Sequence, residues 1–150
     1  MGSVTDNFNK GRCRIENGIF FANDEYIEIL STRGVYLCAN SGKVKYLMRQ
    51  DKAAWFDLTE LHRAREGDLS VVCGGGSYEG EGFVALTQGE DLLWILHLED
   101  SEEFTAVTIS NGVITATANV YPHHHVLQLT ARNPRDFTFT ASVQPPTPDA

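Results

Sequence analysis

Lysine and arginine are absent from residues 66–131, although both occur before and after this stretch. Ten carboxylates stand in the same stretch, whereas residues 1–65 hold ten lysines and arginines against eight carboxylates. The net charge of −8 therefore arises from this one block. A field of one sign attracts basic surfaces and repels phosphates. This disfavours nucleic acid as a partner and predicts a basic protein partner.

Long apolar runs are also missing. The longest, such as residues 92–96, are far shorter than the roughly 20 residues that a helix needs to span a bilayer. The first residues, Met-Gly-Ser-Val-Thr-Asp, contain neither a basic nor an apolar region, so no secretory signal is expected. We therefore predict a cytoplasmic protein that does not bind membranes.

Cysteine is scarce and irregularly placed. Cys13, Cys38 and Cys73 are odd in number and form no C-x-x-C pair, which argues against a disulfide framework or a zinc knuckle. Cys38 and Cys73 lie in apolar, strand-like runs, which predicts buried structural thiols.

The 150 residues and their 42% hydrophobic content are ordinary for one globular domain with a sizeable core. We predict a single β-rich domain over residues 1–143. Residues 144–150 contain three prolines, which cannot donate to a β-ladder, so this end is predicted to be a flexible tail.

Short apolar segments cut by turn residues recur about every ten residues, which is typical of a sandwich or barrel. We predict a mainly β, antiparallel fold of about ten short strands with one inserted helix, an α+β arrangement being the alternative. Two Asn-Gly pairs are hairpin signals, because a type I′ turn needs positive φ at both central residues. They are predicted to join residues 12–15 to 19–22, and 104–110 to 113–121. The other predicted strands are 26–30, 35–39, 43–48, 69–73, 83–87, 92–98, 126–131 and 137–143.

Helical periodicity occurs within residues 51–65. The apolar residues at this spacing are Ala54, Leu58, Leu61 and Ala64. Asp57 followed by Glu60 resembles a capping box. This pattern predicts the helix, which begins either near Asp51 or near Asp57; in the second case residues 53–56 would form a strand.

A glycine-rich stretch covers residues 74–82. It is not a phosphate-binding loop, because Glu81 stands where a P-loop requires lysine. The simpler interpretation is a flexible or bulged β connection. The alternative is a mobile loop that presents Tyr78, Glu79 and Glu81 to a partner.

Three consecutive histidines at residues 123–125 are the most metal-like element. In a strand, His123 and His125 point to the same face, and His97 could supply a further ligand. Metal-binding barrels place a glutamate three or four residues after such a pair, but Gln128 and Leu129 stand there. Metal binding is therefore the alternative to a polar strand edge, and we predict no cofactor.

No catalytic signature supports an enzyme, since the sequence contains no Gly-x-Ser-x-Gly. The tyrosines and tryptophans lie mostly at strand spacing among aliphatic residues, which favours core packing over a sugar-binding groove.

The function predicted from these observations is that of an acidic protein-binding module which occludes a basic partner. An immunity-type inhibitor, or antitoxin, of a toxin domain acting on nucleic acid or nucleotides fits this description. The alternatives are a metal-dependent β-barrel enzyme and a carbohydrate- or ligand-binding sandwich. The predicted partner-binding residues lie in turns, where their side chains should be exposed. They are Tyr78, Glu79, Glu81, Glu99, Asp100, Glu102 and Glu103.

Overall fold

The computed structural model describes residues 3–14, 16–32, 35–38, 45–46, 55–76 and 80–143. These residues form one α-helix, α1 (Ser3–Asn9), a 3-10 turn (Pro134–Asp136) and thirteen strands. The strands are β1 (Arg12–Arg14), β2 (Gly18–Phe21), β3 (Glu25–Thr32), β4 (Val35–Cys38), β5 (Lys45–Tyr46), β6 (Trp55–Glu66), β7 (Leu69–Gly76), β8 (Gly82–Gln88), β9 (Asp91–Leu98), β10 (Ala106–Ser110), β11 (Val113–Val120), β12 (His123–Thr130) and β13 (Thr138–Val143).

The strands form two antiparallel sheets. The larger has nine strands in the order β1-β6-β7-β8-β9-β2-β3-β4, with β5 paired to β3. The smaller has four strands in the order β10-β11-β12-β13. The predicted mainly β, antiparallel, sandwich-like fold is confirmed, with its α-helix at Ser3–Asn9.

The main core lies between the two sheets. Along β11, Ile114, Ala116 and Ala118 are buried at every second position, as expected for a strand with one face against a core. They pack in one cluster with Leu96 of β9 and Leu127 of β12. Each fully buried large aliphatic side chain contributes about 1.5–3 kcal/mol relative to an exposed one.

The opposite face of the larger sheet is covered in part by α1. Val4 and Phe8 are four residues apart and so share one face of this helix, where they pack with Phe20 and Phe83 of the sheet. The larger sheet therefore carries apolar side chains on both faces. This helix was not expected from the sequence.

The predicted helix at residues 51–65 is wrong where the structure describes it, because residues 55–66 form the long strand β6. A β-bulge between Glu60 and His62 leaves Leu61 without a partner in β7. The extra residue reverses the face on which later side chains lie. Leu58 therefore packs on the helix side and Ala64 in the main core, with spacing that imitates a helix. Residues 51–54 lie outside the described residues.

The two Asn-Gly pairs behave differently. Asn111 and Gly112 have φ of 52° and 75° and join β10 to β11, which confirms the predicted hairpin. The hairpin predicted at Asn17 and Gly18 is wrong, because β1 pairs with β6 and β2 pairs with β3 and β9. Here β1 and β2 pair with other strands and not with each other as a local hairpin would require.

Most other predicted strands are present. Of the predicted strand 43–48 only β5 falls within the described residues, and the predicted tail lies outside them. The three cysteines are free; Cys73 is buried as predicted, whereas Cys38, also predicted to be buried, is partly exposed. Cys13 is buried as well. No helix in the described ranges combines the length and apolar character needed to cross a membrane.

Candidate functional site

Residues 99–103, here called the acidic loop, belong to the connection between β9 of the larger sheet and β10 of the smaller one. Hydrogen bonds from main-chain amides hold the loop. The Glu99 amide donates to Asn17 Oδ1 at 2.6 Å, and the Glu102 amide donates to the Gly80 carbonyl at 2.8 Å. The loop is therefore fixed to two other segments of the chain.

The acidic loop has exposed carboxylates and one fully buried residue. The Glu99, Asp100 and Glu103 side chains are exposed and Glu102 is half-buried, whereas Ser101 is fully buried. Glu102 has φ of 66°, in the left-handed region that non-glycine residues seldom adopt. The surrounding contacts hold this uncommon backbone conformation. The predicted exposure of Glu99, Asp100 and Glu103 is confirmed.

The backbone at Gly82 approaches the backbone of the acidic loop closely and so holds the loop in place. A Cβ atom added at Gly82 would lie 2.4 Å from the Glu102 carbonyl oxygen and 2.7 Å from Ser101 Oγ. Only glycine allows this approach. Part of the glycine-rich stretch therefore has a packing role: Gly82 begins β8, and residues 74–76 belong to β7.

A buried histidine–glutamate pair lies behind the loop. His97 Nε2 is 3.2 Å from Glu81 Oε2, and the two side chains are 0% and 3% exposed. His97 Nδ1 is 2.8 Å from the Glu16 backbone oxygen. A carbonyl oxygen can only accept a hydrogen bond, so His97 Nδ1 carries a proton. The hydrogen bond between His97 Nε2 and Glu81 Oε2 contains a second proton. The pair connects β9 to the segments that precede β2 and β8.

The predicted exposure of Glu81 is therefore wrong. Gly82 pairs with Leu98, so the chain just before β8 runs beside the end of β9 and directs Glu81 inward to His97. A sequence signal for this exists: His97 stands in an apolar strand and needs a buried partner. Tyr78 and Glu79, the other predicted binding residues of this stretch, lie outside the described residues.

The histidines of β12 lie beside the acidic loop. The rings of His123 and His125 are 5.3 Å apart, which confirms that they share a face. His123 Nε2 is 3.8 Å from Glu102 Oε1, whereas His125 Nδ1 lies 2.8 Å from the Ser101 carbonyl oxygen and donates to it. His97 makes its contacts with other partners. Among the residues that the structure describes, no three His, Cys, Asp or Glu side chains are arranged to hold a metal ion.

Tyr36 of β4 joins the larger sheet to the smaller one. Its ring packs edge-on against Phe139 of β13 with centroids 4.8 Å apart. Burial, and secondarily the negative charge of Asp100, raises the pKa of Tyr36 to about 12. The hydroxyl is thus held neutral beside the carboxylates of the loop.

One exposed aromatic residue lies close to the loop. Tyr121 begins the β11–β12 turn and is 63% exposed, two residues before His123. The expectation that the aromatic residues serve core packing fails at this position. By contrast, Trp94 is 2% exposed and its indole donates to the Ala131 carbonyl at 3.0 Å. In the groove of about 470 Å³ beside it, the Trp94 indole therefore presents no exposed face for stacking on a sugar, and the other aromatic lining residue, Phe21, is half-buried.

Comparison with known proteins adds no constraint. The sequence matches no family model, and neither the curated proteins nor the solved structures include a significant match.

Proposed function

We propose that this protein binds and occludes a basic protein through the acidic loop. One observation carries the proposal: Glu99, Asp100 and Glu103 are exposed on a loop that is held in place by hydrogen bonds from its main-chain amides. A fixed loop presents its charges without the entropy cost of ordering them at binding.

The partner class follows from charge. Toxin domains that act on nucleic acid or nucleotides need a positive cleft for their substrate, and an acidic plug competes for the same cleft. Complementary charges also raise the association rate. We therefore propose an immunity-type inhibitor, or antitoxin, whose partner is such a toxin domain.

Tyr121 supports this proposal. Interfaces gain most of their affinity from a few anchors, among which tyrosine is enriched, while rim charges mainly set the rate of encounter. Tyr121 is exposed and stands two residues before His123, which lies 3.8 Å from Glu102, so an aromatic anchor and a group of acids lie on neighbouring segments. We propose Tyr121 as the anchor of the interface.

The test is affinity capture with two charge-reversed proteins. The loop triple variant carries Asp100→Lys, Glu102→Lys and Glu103→Lys. The control triple variant carries Asp68→Lys, Glu90→Lys and Asp91→Lys, which make the same charge change at exposed positions. β9 separates the two groups by eight residues, or about 25 Å, which exceeds the screening length of about 8 Å in physiological salt.

We expect the wild type and the control triple variant to capture the same basic protein from cells of the source, and the loop triple variant to lose it. The captured protein should have an activity on nucleic acid or nucleotides that the wild type inhibits. Capture of an acidic partner, or equal capture by all three proteins, would contradict the proposal.

A further inference from the structure

Two cavities adjoin at the end of the sandwich opposite the acidic loop. One, of about 520 Å³, is here called the polar compartment, and the groove of about 470 Å³ beside Trp94 is called the apolar compartment. Leu69, Ala131 and Arg132 line both, so the two form one continuous groove. Gln88 of the apolar compartment pairs with the first residue of β9, whereas the acidic loop follows the last one. Ligand sites typically have volumes of about 300–1,000 Å³.

The polar compartment combines one cation with a neutral hydrogen-bonding side chain. Arg132 and Asn111 both line it, and both are exposed. A guanidinium always carries its charge and several donors in one plane, and the side-chain amide of asparagine adds further donors. A carboxylate complements this set, because its oxygens only accept hydrogen bonds and pair with arginine in a planar arrangement.

The main chain that carries these two side chains is fixed by hydrogen bonds. Both main-chain groups of Ala131, the residue before Arg132, are hydrogen-bonded, and its carbonyl accepts from the Trp94 indole at 3.0 Å. The Asn111 amide donates to Glu66 Oε2 at 2.6 Å. The groove is therefore formed before a ligand arrives, and a preformed site avoids part of the entropy cost of binding.

The apolar compartment suits an aliphatic chain. Leu86 and Trp94 are buried at its base, with exposures of 0% and 2%. Leu69, Leu93 and Phe21 are half-buried, so each leaves apolar surface accessible at the groove. An aliphatic chain can cover this mixed surface without a ring to stack on, which the buried Trp94 does not provide.

Asp68 favours one direction for a bound anion. This exposed carboxylate lines the apolar compartment and accepts a hydrogen bond from Gln88 Nε2 at 3.0 Å. None of the described residues that line the polar compartment is acidic. The negative charge of Asp68 opposes an anionic group in the apolar compartment, so the anionic end of a ligand is favoured in the polar one.

We infer that this groove binds a monocarboxylate with an aliphatic chain of medium length, such as octanoate. The carboxylate lies in the polar compartment against Arg132 and Asn111, and the chain lies in the apolar compartment against Leu69 and Leu93. The mouth between two packed sheets is a usual place for such a site. The inference goes beyond the proposed function and does not depend on it, because the acidic loop lies at the other end of β9.

The experiment follows the indole N–H signal of Trp94 by NMR while sodium octanoate is added to the labelled protein. This group donates to the residue before Arg132 and so reports on the groove. The chain contains two tryptophans, and a Trp55→Phe variant identifies the Trp94 signal. Two comparison ligands are used: butanoate, which keeps the carboxylate and shortens the chain, and octylammonium, which keeps the chain and reverses the charge.

Two site variants are each matched to a control. Arg132→Gln removes the cation of the groove, and Lys10→Gln makes the same charge change at an exposed residue just after α1. Leu93→Ser removes apolar surface from the groove, and Leu61→Ser makes the same change at a leucine of β6 that is 43% exposed. Arg132 is exposed, so Arg132→Gln tests the site even if Leu93→Ser does not fold.

We expect octanoate to bind the wild type and both control variants equally. Arg132→Gln should bind it about fivefold more weakly, the upper range for an ion pair at an exposed arginine, and Leu93→Ser should also bind it more weakly. Butanoate should bind the wild type more weakly than octanoate, by up to about fourfold for each missing methylene group. Octylammonium should bind more weakly than octanoate, because its charge matches that of Arg132.

Three results would overturn the inference. The first is a Trp94 signal of the wild type that octanoate does not shift. The second is equal affinity for octanoate and octylammonium, which would mean that the groove does not distinguish charge. The third is equal affinity of Arg132→Gln and Lys10→Gln for octanoate, which would mean that Arg132 does not contact the carboxylate.

Discussion

At the scale of single residues, the Tyr36 hydroxyl links stability to pH. Its pKa is raised to about 12 in the folded protein, above the ordinary value of 10.0. The neutral form is therefore favoured by folding, and this contribution is complete below pH 10 and lost as the pH approaches 12. Buried Cys73, whose pKa is raised from 9.0 to about 12, acts in the same direction.

We predict that the free energy of unfolding falls between pH 9 and pH 12, and that Tyr36→Phe removes about 1–2 kcal/mol of this fall. Urea unfolding across this pH range measures it, with Tyr121→Phe as the control at an exposed tyrosine. If the free energy of unfolding falls with pH equally in Tyr36→Phe and in the wild type, the burial of this hydroxyl is contradicted.

The His97–Glu81 pair gives a second prediction at this scale. Removal of one member leaves a buried polar group without its partner, so Glu81→Leu and His97→Leu should each destabilise the protein by about 2–5 kcal/mol. The double variant should lose at least about 1 kcal/mol less than the sum of the two. Urea unfolding of the four proteins closes the cycle, and effects that add to within about 0.5 kcal/mol would show that the two side chains act independently.

Residue exposure near the loop could be predicted only in part. Glu99, Asp100 and Glu103 follow a long strand and precede another, so their exposure in a connection follows from sequence. Glu81 stands in an equally polar, glycine-rich stretch, yet it is buried. Its burial depends on the pairing of Gly82 with Leu98 and on a histidine sixteen residues away, and no local pattern encodes that approach.

At the scale of secondary-structure elements, the close approach at Gly82 connects the start of β8 to the acidic loop. Gly82→Ala would bring a Cβ atom within 2.4 Å of the Glu102 carbonyl oxygen, so one of the two backbones must move. We predict a loss of about 1–3 kcal/mol in the free energy of unfolding. Hydrogen exchange should show faster exchange at the Glu102 amide, whereas Thr108→Ala, at an exposed site on β10, should change neither quantity. An unchanged exchange rate would mean that Gly82 does not hold the loop.

Strand β6 shows how the spacing of apolar residues can wrongly predict a helix. Leu58, Leu61 and Ala64 recur every three residues, and Glu60 pairs with Arg63 at 2.8 Å as it would in a helix. The bulge at Leu61 makes the same spacing compatible with a strand, since it moves Ala64 to the face opposite Leu58. Pairing with β1 and β7 makes this segment a strand and not a helix. That pairing cannot be read from the sequence of residues 55–66 alone.

At the scale of the whole molecule, the regular turn spacing was sufficient to predict a mainly β antiparallel fold, because each turn residue acts locally. Strand order was not predictable. β2 lies between β9 and β3, although β9 is about seventy residues distant along the chain, and such pairing depends on the packing of complete faces. The charge asymmetry, in contrast, is a property of sequence alone and survives folding as an exposed acidic loop.

The central claim is that the acidic loop steers this protein to a basic partner. The most direct measurement is the association rate with the captured partner against ionic strength, for the wild type, the loop triple variant and the control triple variant. Substitutions at exposed positions usually change the free energy of unfolding by only about 0.5 kcal/mol. Because Glu102 is half-buried, urea unfolding of the three proteins accompanies the rate measurement. We predict a rate that falls steeply with salt for the wild type and the control triple variant, and a slow rate that depends little on salt for the loop triple variant. Identical rates for the two triple variants, or a wild-type rate that does not respond to salt, would contradict the claim and leave the carboxylates as a solubilising surface.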